Sequence, residues 1–530
     1  MNETYIRCGD SRLDALVPRI REFLRSDISE YNMLGTPIRA YRTPDAPSIW
    51  IRDHSEMMRG AKYWETDLQS AIDHFAETQT AKGWIFDYFT MTPEKVPCEK
   101  ENWAKYVRVP VEADVEYRFI KAVHLAWQAS GDDKWMKRLL PNMERALQYV
   151  LTDEWRWDKK TKLVKRAYTI DTWDFDYTAG RHPWLNFQIN DHTYWGIMHG
   201  DNSGYYEAFN LLSKMYDHAG NRSRARYWRR YAEMFRRRAN KVCFNGRFYT
   251  HHVHLVPVRI EGVDESEQLS LSNPMDINRG MATHAIAASI LREYQRRGQT
   301  TKAFAEWFSI DPPFPDGIHG DEKIIGGAYC NGGIMPLVGG ELALAALDHG
   351  FEEYGVRQLL KYEELTRNNE TYLWYFPNGK PASPETSTSP DASPTDGWGS
   401  SAILYGLLEG LAGIVDTDKL YRKVRLSPRW IAAGREEAEA ACTYGPSGAG
   451  IQYTYLHNPS SKTIEMEIRG MAHVDLRVML PANARSVSAK LNGRKSAMSG
   501  YVVESSPYAA MAFDLRKKAG ITIKYEEIKG

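Results

Sequence analysis

The chain is 530 residues long and carries 68 Lys+Arg against 68 Asp+Glu, a formal net charge of zero. That balance argues against nucleic acid or another polyanion as the main partner, because such binders need a basic excess. Hydrophobic residues at 43% and charged residues at 26% are those of a folded globular chain, long enough for one large domain and a smaller one.

The N-terminus, MNETYIRCGDSRLDALVPRI, lacks the basic and apolar regions of a signal peptide. No stretch has the apolar length of a membrane span. Cys8, Cys98, Cys243, Cys330 and Cys442 are scattered, with no C-x-x-C pair, so neither a disulfide framework nor a zinc ribbon is expected. A cytoplasmic location follows as the expectation; the oligomeric state stays open.

In chain order, Leu13, Val17, Ile20 and Leu24 recur at helical spacing, and apolar-periodic runs follow near 54–64 and 67–80. Residues 111–130 read as a helix that Gly131 can end, with Asp132 or Asp133 capping the next. The pattern returns at 201–220 with 222–240, at 279–297 with 300–308, and at 332–349 with 353–367. The last run, 397–414, is apolar on nearly every side and predicts a buried helix.

About twelve helices in six hairpins predict a mainly α chain, an (α/α)6 toroid over residues 1–418 with apolar inner helices and striped outer ones. The basic run Arg222 to Arg238 reads as a solvated outer face. Long loops would gather at one end of the toroid and build the site there. Residues 419–530 change texture to short alternating runs between Gly, Pro, Asn and Ser, which predicts a small β-sandwich acting as a structural cap.

Aromatics are plentiful, with Trp 16, Tyr 31 and Phe 17, and many fall in polar, glycine- and proline-rich stretches. Aromatic faces beside carboxylates suit a sugar, whose C–H faces stack on π surfaces; core packing is the alternative for each single ring. The densest cluster is YTIDTWDFDY (168–177), with Asp171, Asp174 and Asp176 among Trp173, Phe175 and Tyr177. Burial and like-charge neighbours raise a carboxyl pKa there, the condition for a general acid. A network that binds sugar hydroxyls without proton transfer is the competing reading.

Glu385 stands alone in the Ser/Thr/Pro-rich loop 382–401 and can act as a base toward water, with Glu370, Asp391 and Asp396 as neighbours. Asp396 equally suits a helix N-cap. Arg52 and Asp53, in SIWIRDHSEMMRG, can hold sugar hydroxyls or form a buried ion pair. His199, Asp201 and Asn202 precede a helix, and Asp201 or Asn202 can cap it. The glycines of 326–340 permit close backbone approach. His252 and His254 share a strand face without an evident third metal ligand, and no G-x-S-x-G or H-E-x-x-H motif occurs.

The order of these motifs, W-x-R-D, W-D-F, N-G-G-I-x-P from Asn331 and G-W-G-S-S-A from Gly397, resembles the (α/α)6-toroid glycoside hydrolases of the trehalase and processing α-glucosidase clan, families 37 and 63. The resemblance implies Asp174 as general acid, Glu385 as general base and Arg52–Asp53 at the cleaved bond. Thr172 stands where that clan has Gly, and Glu385-Thr386-Ser387 departs from its E-x-Y pattern, which leaves Glu370 a rival base. The C-terminal part, opening RKVRLSP, is similar to the cap of α-L-rhamnosidases.

The expectation is an inverting, exo-acting glycoside hydrolase of an α-linked oligosaccharide or glycoside. Trp173, Trp195, Trp398, Asp171, Asp176, Asp201 and Asn331 would add to the sugar site, and the chemistry requires no cofactor or metal. Its rivals are a toroid sugar isomerase or lyase using His199 or Tyr177, and a non-catalytic sugar-binding protein.

Overall fold

A computed structural model describes residues 3–33, 35–44, 46–91, 105–174, 177, 189–319, 322–387 and 393–527. The helices among them are α1 (Ser11–Asp14), α2 (Leu16–Ser26), α3 (Ile51–Ala61), α4 (Ser70–Glu77), α5 (Val115–Ser130), α6 (Asp133–Thr152), α7 (His199–His218), α8 (Arg222–Cys243), α9 (Ser272–Asn278), α10 (His284–Thr300), α11 (Pro336–Asp348), α12 (Glu352–Leu365) and α13 (Gly397–Tyr405). None is long and apolar enough to cross a membrane.

Local chemistry sets the boundaries. Gly131 ends α5 in the left-handed region at φ 72°, and Asp132 caps α6 by accepting from the backbone N–H groups of Lys134 and Trp135. The outer helix α8 buries Ala225, Trp228, Ala232, Phe235 and Ala239 at helical spacing, while Arg222, Arg226, Arg229 and Arg230 are exposed.

Helix α3 packs against α5, α5 against α7, α7 against α9, α9 against α11, α11 against α13, and α13 back against α3. Six helices thus close a cycle, and α2, α4, α6, α8, α10 and α12 each pack on one or two of them. Glycine permits the tightest crossings. A Cβ on Gly340 of α11 would lie 2.3 Å from the backbone of Ala402 in α13, and one on Gly204 of α7 would lie 2.3 Å from the Tyr117 ring of α5.

Two expectations change. The pair read at 279–297 and 300–308 is instead α9 with α10. Gly280, at φ 81°, separates them, and 301–308 is irregular, its Phe304 N–H donating to the Pro377 carbonyl. The inner helices are also not all apolar. α11 and α13 bury apolar residues on almost every side, but α3 buries Arg52, Asp53, Glu56 and Arg59, and α5 buries Glu116, Arg118 and Lys121. Burial of these charges is tolerable because they pair with one another: Glu56 binds Arg59 on its own helix at 2.9 Å, and Lys121 at 3.3 Å and Arg118 on the neighbouring α5.

The C-terminal part forms a large, mainly antiparallel sheet. Strands Thr463–Met479 and Ser506–Glu527 pair from Thr463↔Lys524 to Met479↔Tyr508. They change partners midway: Thr463–Arg469 pairs with Gln452–Asn458, and His473–Leu476 runs parallel to Lys423–Leu426. Lys517, at φ 76°, sits opposite Gly470 at that corner. The first strand of the chain, Tyr5–Arg7, joins this sheet beside Glu439–Ala441.

Candidate active site

The N-terminal ends of the inner helices carry a dense charge network. At the start of α3, Arg52 donates Nε to Asp114 Oδ2 at 2.7 Å and Nη2 to Asp114 Oδ1 at 2.8 Å, and Nη2 also lies 2.6 Å from Glu112 Oε2. Burial opposes ionisation of Asp114, but Arg52, with Arg118 and Arg166, outweighs it and holds the carboxyl well below the usual range. Glu112 also shares a side-chain hydrogen bond with Asp87. Behind it, burial pushes Asp87 well above the ordinary carboxylate range against the pull of Arg108, and the Glu112 charge adds to that rise.

Asp174 faces this network. Burial and the Glu112 carboxylate push its pKa up to about 7, with Arg52 and Arg166 pulling the other way. Its loop is held from below. Arg166, fully buried, reaches both Asp201 oxygens at 3.2 Å and donates Nη2 to the Trp173 carbonyl at 2.6 Å. Asp171 adopts φ 46° and accepts from the Ser272 hydroxyl at 2.5 Å and the Thr172 N–H at 2.7 Å, while its own N–H donates to His251 Nε2 at 2.8 Å. Asp171 is completely buried, so its side chain braces the loop.

The Trp173 ring meets Tyr329 edge-on at 5.5 Å, Tyr329 packs on Trp374 at 6.2 Å, and the Trp374 carbonyl accepts from the Ala382 N–H at 3.3 Å. This aromatic bridge joins the Asp174 loop to the loop that carries Glu385. Glu385 is exposed, and a hydrogen bond from Ser383, with Lys323 nearby, holds its carboxyl below the usual range. Glu370, the rival, is tied locally, accepting from Asn368 Nδ2 at 2.8 Å and the Tyr372 hydroxyl at 3.2 Å.

The remaining sequence candidates divide. Asp53 is buried, and burial raises its pKa to about 6 despite a hydrogen bond from Thr43 and the Arg52 charge. Asp201 likewise rises to about 6, burial outweighing Arg166. Trp398 opens α13 with its indole N–H buried and unpartnered, and Asp396 caps that helix through the Gly399 N–H at 3.1 Å. Trp195 lies on the strand entering α7 with Lys165 Nζ 4.5 Å from its ring centre. The Asn331 amide both accepts from Phe314 N–H at 2.7 Å and donates to Phe314 O at 3.0 Å, which commits it to holding the backbone at 314. Asp176, Phe175 and Asp391 lie outside the described residues.

His199 is buried with Nδ1 2.5 Å from Asp276 and Nε2 3.1 Å from Ser270. His254 binds Glu265 at 2.7 Å, and among the described residues no trio of His, Cys, Asp or Glu is placed to hold a metal. Sequence reading missed Glu112, Asp114, Asp87 and Arg166. The available signal was the E-x-D of VEADVEY, two carboxylates at a helix start where one would have sufficed as a cap.

No family profile matches the chain, and no curated protein matches it. Solved structures do. An α-L-rhamnosidase from Dictyoglomus thermophilum superposes with a TM-score of 0.61 at 11% identity, over 99% of this chain and 50% of its own. A GH78 rhamnosidase of Bacillus sp. GL1 gives 0.59 at 16%, over 91% of this chain and 43% of its own. A GH63 mannosylglycerate hydrolase from Thermus thermophilus gives 0.53 at 14%, over 74% of this chain and 99% of its own. The chain spans about half the length of the rhamnosidases it matches. The fold of nearly the whole chain is thus shared with the two rhamnosidases, and that of about three quarters of it with the mannosylglycerate hydrolase.

Proposed function

We propose that this protein is an inverting, exo-acting glycoside hydrolase acting on an α-linked glycoside, built as an (α/α)6 toroid over residues 1–418 with a cap domain over 419–530 that the Tyr5–Arg7 strand crosses to join. The observation that carries the reading is the contrast between two carboxyls on loops joined by the aromatic bridge. Burial and the Glu112 charge lift the Asp174 pKa to about 7, while a hydrogen bond from Ser383 draws the exposed Glu385 below the usual carboxylate range.

In this mechanism Asp174 donates its proton to the glycosidic oxygen as the bond breaks, and Glu385 removes a proton from a water attacking the anomeric carbon from the opposite face. The water oxygen becomes the new anomeric hydroxyl and the configuration inverts. Such a pair needs about 6.5–9.5 Å between carboxyls, leaving room for the water. Arg52 and Asp53 hold hydroxyls of the terminal sugar, and Trp398 offers its indole N–H.

Among the described residues Cys8, Cys243 and Cys442 are buried thiols, which suits a reducing compartment and supports a cytoplasmic enzyme. The engagement of both His199 nitrogens by Asp276 and Ser270 argues against the isomerase or lyase reading. The test is product release from α-linked rhamnosides, mannosides and glucosides and from mannosylglycerate. Turnover by the wild type that disappears in Asp174→Asn supports the reading; turnover that survives it removes Asp174 as the acid.

A further inference from the structure

The axis of the ring holds a cavity formed by the later turns of the inner helices, at the end away from Asp174. Its volume is about 180 Å³. The two ends are separated by a stack of paired charges: Arg52 on Asp114, Arg118 on Asp114 and Glu56, and Lys121 and Arg59 on Glu56.

The wall carries Arg59, Lys62, Lys121 and Arg279 against Glu207, Glu341, Glu409 and Asp416, so its formal charges cancel. Most are already paired. Arg59 binds Glu341; Lys62 donates to the Tyr405 hydroxyl at 2.7 Å and lies 3.5 Å from Glu409. Four buried polar atoms of wall residues have no hydrogen-bond partner, Arg59 Nε, His124 Nε2, Glu207 Oε2 and Arg279 Nε, while Glu207 Oε2 is ion-paired with Lys121 Nζ at 3.5 Å and Arg279 Nε at 3.8 Å. His124 is 7% exposed, and burial, with Lys214, Lys62 and Lys121 close by, depresses its pKa and keeps the ring neutral. Leu125, Leu211, Met275 and Leu344 supply an apolar strip.

We infer that this cavity is a second ligand site, taking a neutral polyhydroxylated molecule of about monosaccharide size. A net-neutral wall disfavours a phosphate or a diamine, each of which would leave an uncompensated charge in a half-enclosed space. Hydroxyls both donate and accept, matching a wall where ammonium, guanidinium and amide donors of Lys62, Arg279 and Asn278 alternate with carboxylate acceptors, and the apolar strip accommodates a C–H face. The inference stands apart from the hydrolase reading, because its readout lies at His124.

The experiment is side-chain NMR of the full chain with labelled histidine, the His124 signal assigned through His124→Gln. Glucose, rhamnose, sorbitol, phosphate and putrescine are titrated separately into the wild type, Asp174→Asn and Leu211→Trp, the last filling the cavity from its partly exposed edge. The expected result is a saturable His124 shift with one or more neutral polyols at millimolar concentration, unchanged in Asp174→Asn and weakened about tenfold or more in Leu211→Trp. Absence of any polyol response in the wild type overturns the inference. So does a shift produced only by phosphate or putrescine, or one that Leu211→Trp leaves intact while its circular dichroism melt remains cooperative.

Discussion

The Arg52 guanidinium grips Asp114 through two hydrogen bonds of 2.7 and 2.8 Å and still touches Glu112 at 2.6 Å. One cation is thereby shared between two carboxylates before it reaches Asp174. The surplus negative charge of Glu112 then acts with burial to keep a proton on Asp174. In this account the acid is tuned by a residue on a neighbouring loop.

Replacing Asp174 with asparagine removes the proton donor while preserving shape. The expected loss in kcat is about 10²–10⁴-fold on substrates with poor leaving groups, and smaller where the leaving group departs unaided. Substrate affinity, read by calorimetry on the inactive variant, stays within a few-fold.

The same substitution should stabilise the fold at neutral pH. Native Asp174 holds its proton to about pH 7, whereas an aspartate in the unfolded chain loses it near pH 4. Folding takes up a proton between those values, so this group's contribution falls as pH rises through that window. An asparagine at this position would carry no such penalty. Asp174→Asn is therefore expected to gain about 1–3 kcal/mol over wild type at pH 7–8, with the difference vanishing below pH 4. Denaturant melts at both pH values measure it.

Glu112→Gln tests the tuning itself. Removing that charge lowers the pKa of Asp174, both directly and by freeing Arg52 to act on it. The alkaline limb of kcat/KM, expected near pH 7 in the wild type, should move to lower pH. An unmoved limb would show that Glu112 does not set it.

Arg166 offers a structural check. It is buried, pairs with Asp201 and holds the Trp173 carbonyl. Arg166→Ala leaves a buried carboxylate without its cation, at a cost of about 3–5 kcal/mol. Thermal melts should show the loss, and the double variant Arg166→Ala with Asp201→Asn should recover part of it.

Much of this architecture was legible beforehand because it depends on local signals. Gly131 and Asp132 marked a helix end and start, the α8 stripe alternated arginines with Ala225, Trp228 and Phe235, and Asp396 sat at an N-cap position. The failures were non-local. Beside the local pairs Glu56–Arg59 and Asp114–Arg118, the buried charges depend on Arg52–Asp114 and Glu56–Arg118, which join separate segments, and no spacing along one helix announces those. Helix α9 was misplaced because seven residues ending just before Gly280 are too short to show a period. Asp171 sat in the right cluster, yet its commitment to Ser272, about a hundred residues downstream, depended on how α9 meets the loop. Glu112 and Asp114 passed as ordinary polar residues at a helix start because their importance comes from Arg52.

Proton NMR of the first sugar released from an α-linked substrate, with wild type, Glu385→Gln and Glu370→Gln followed in parallel, decides whether Glu385 is the base of an inverting reaction. The β-anomer is expected first with wild type and with Glu370→Gln, and almost no release is expected from Glu385→Gln. Initial release of the α-anomer, or full turnover by Glu385→Gln, would contradict that role.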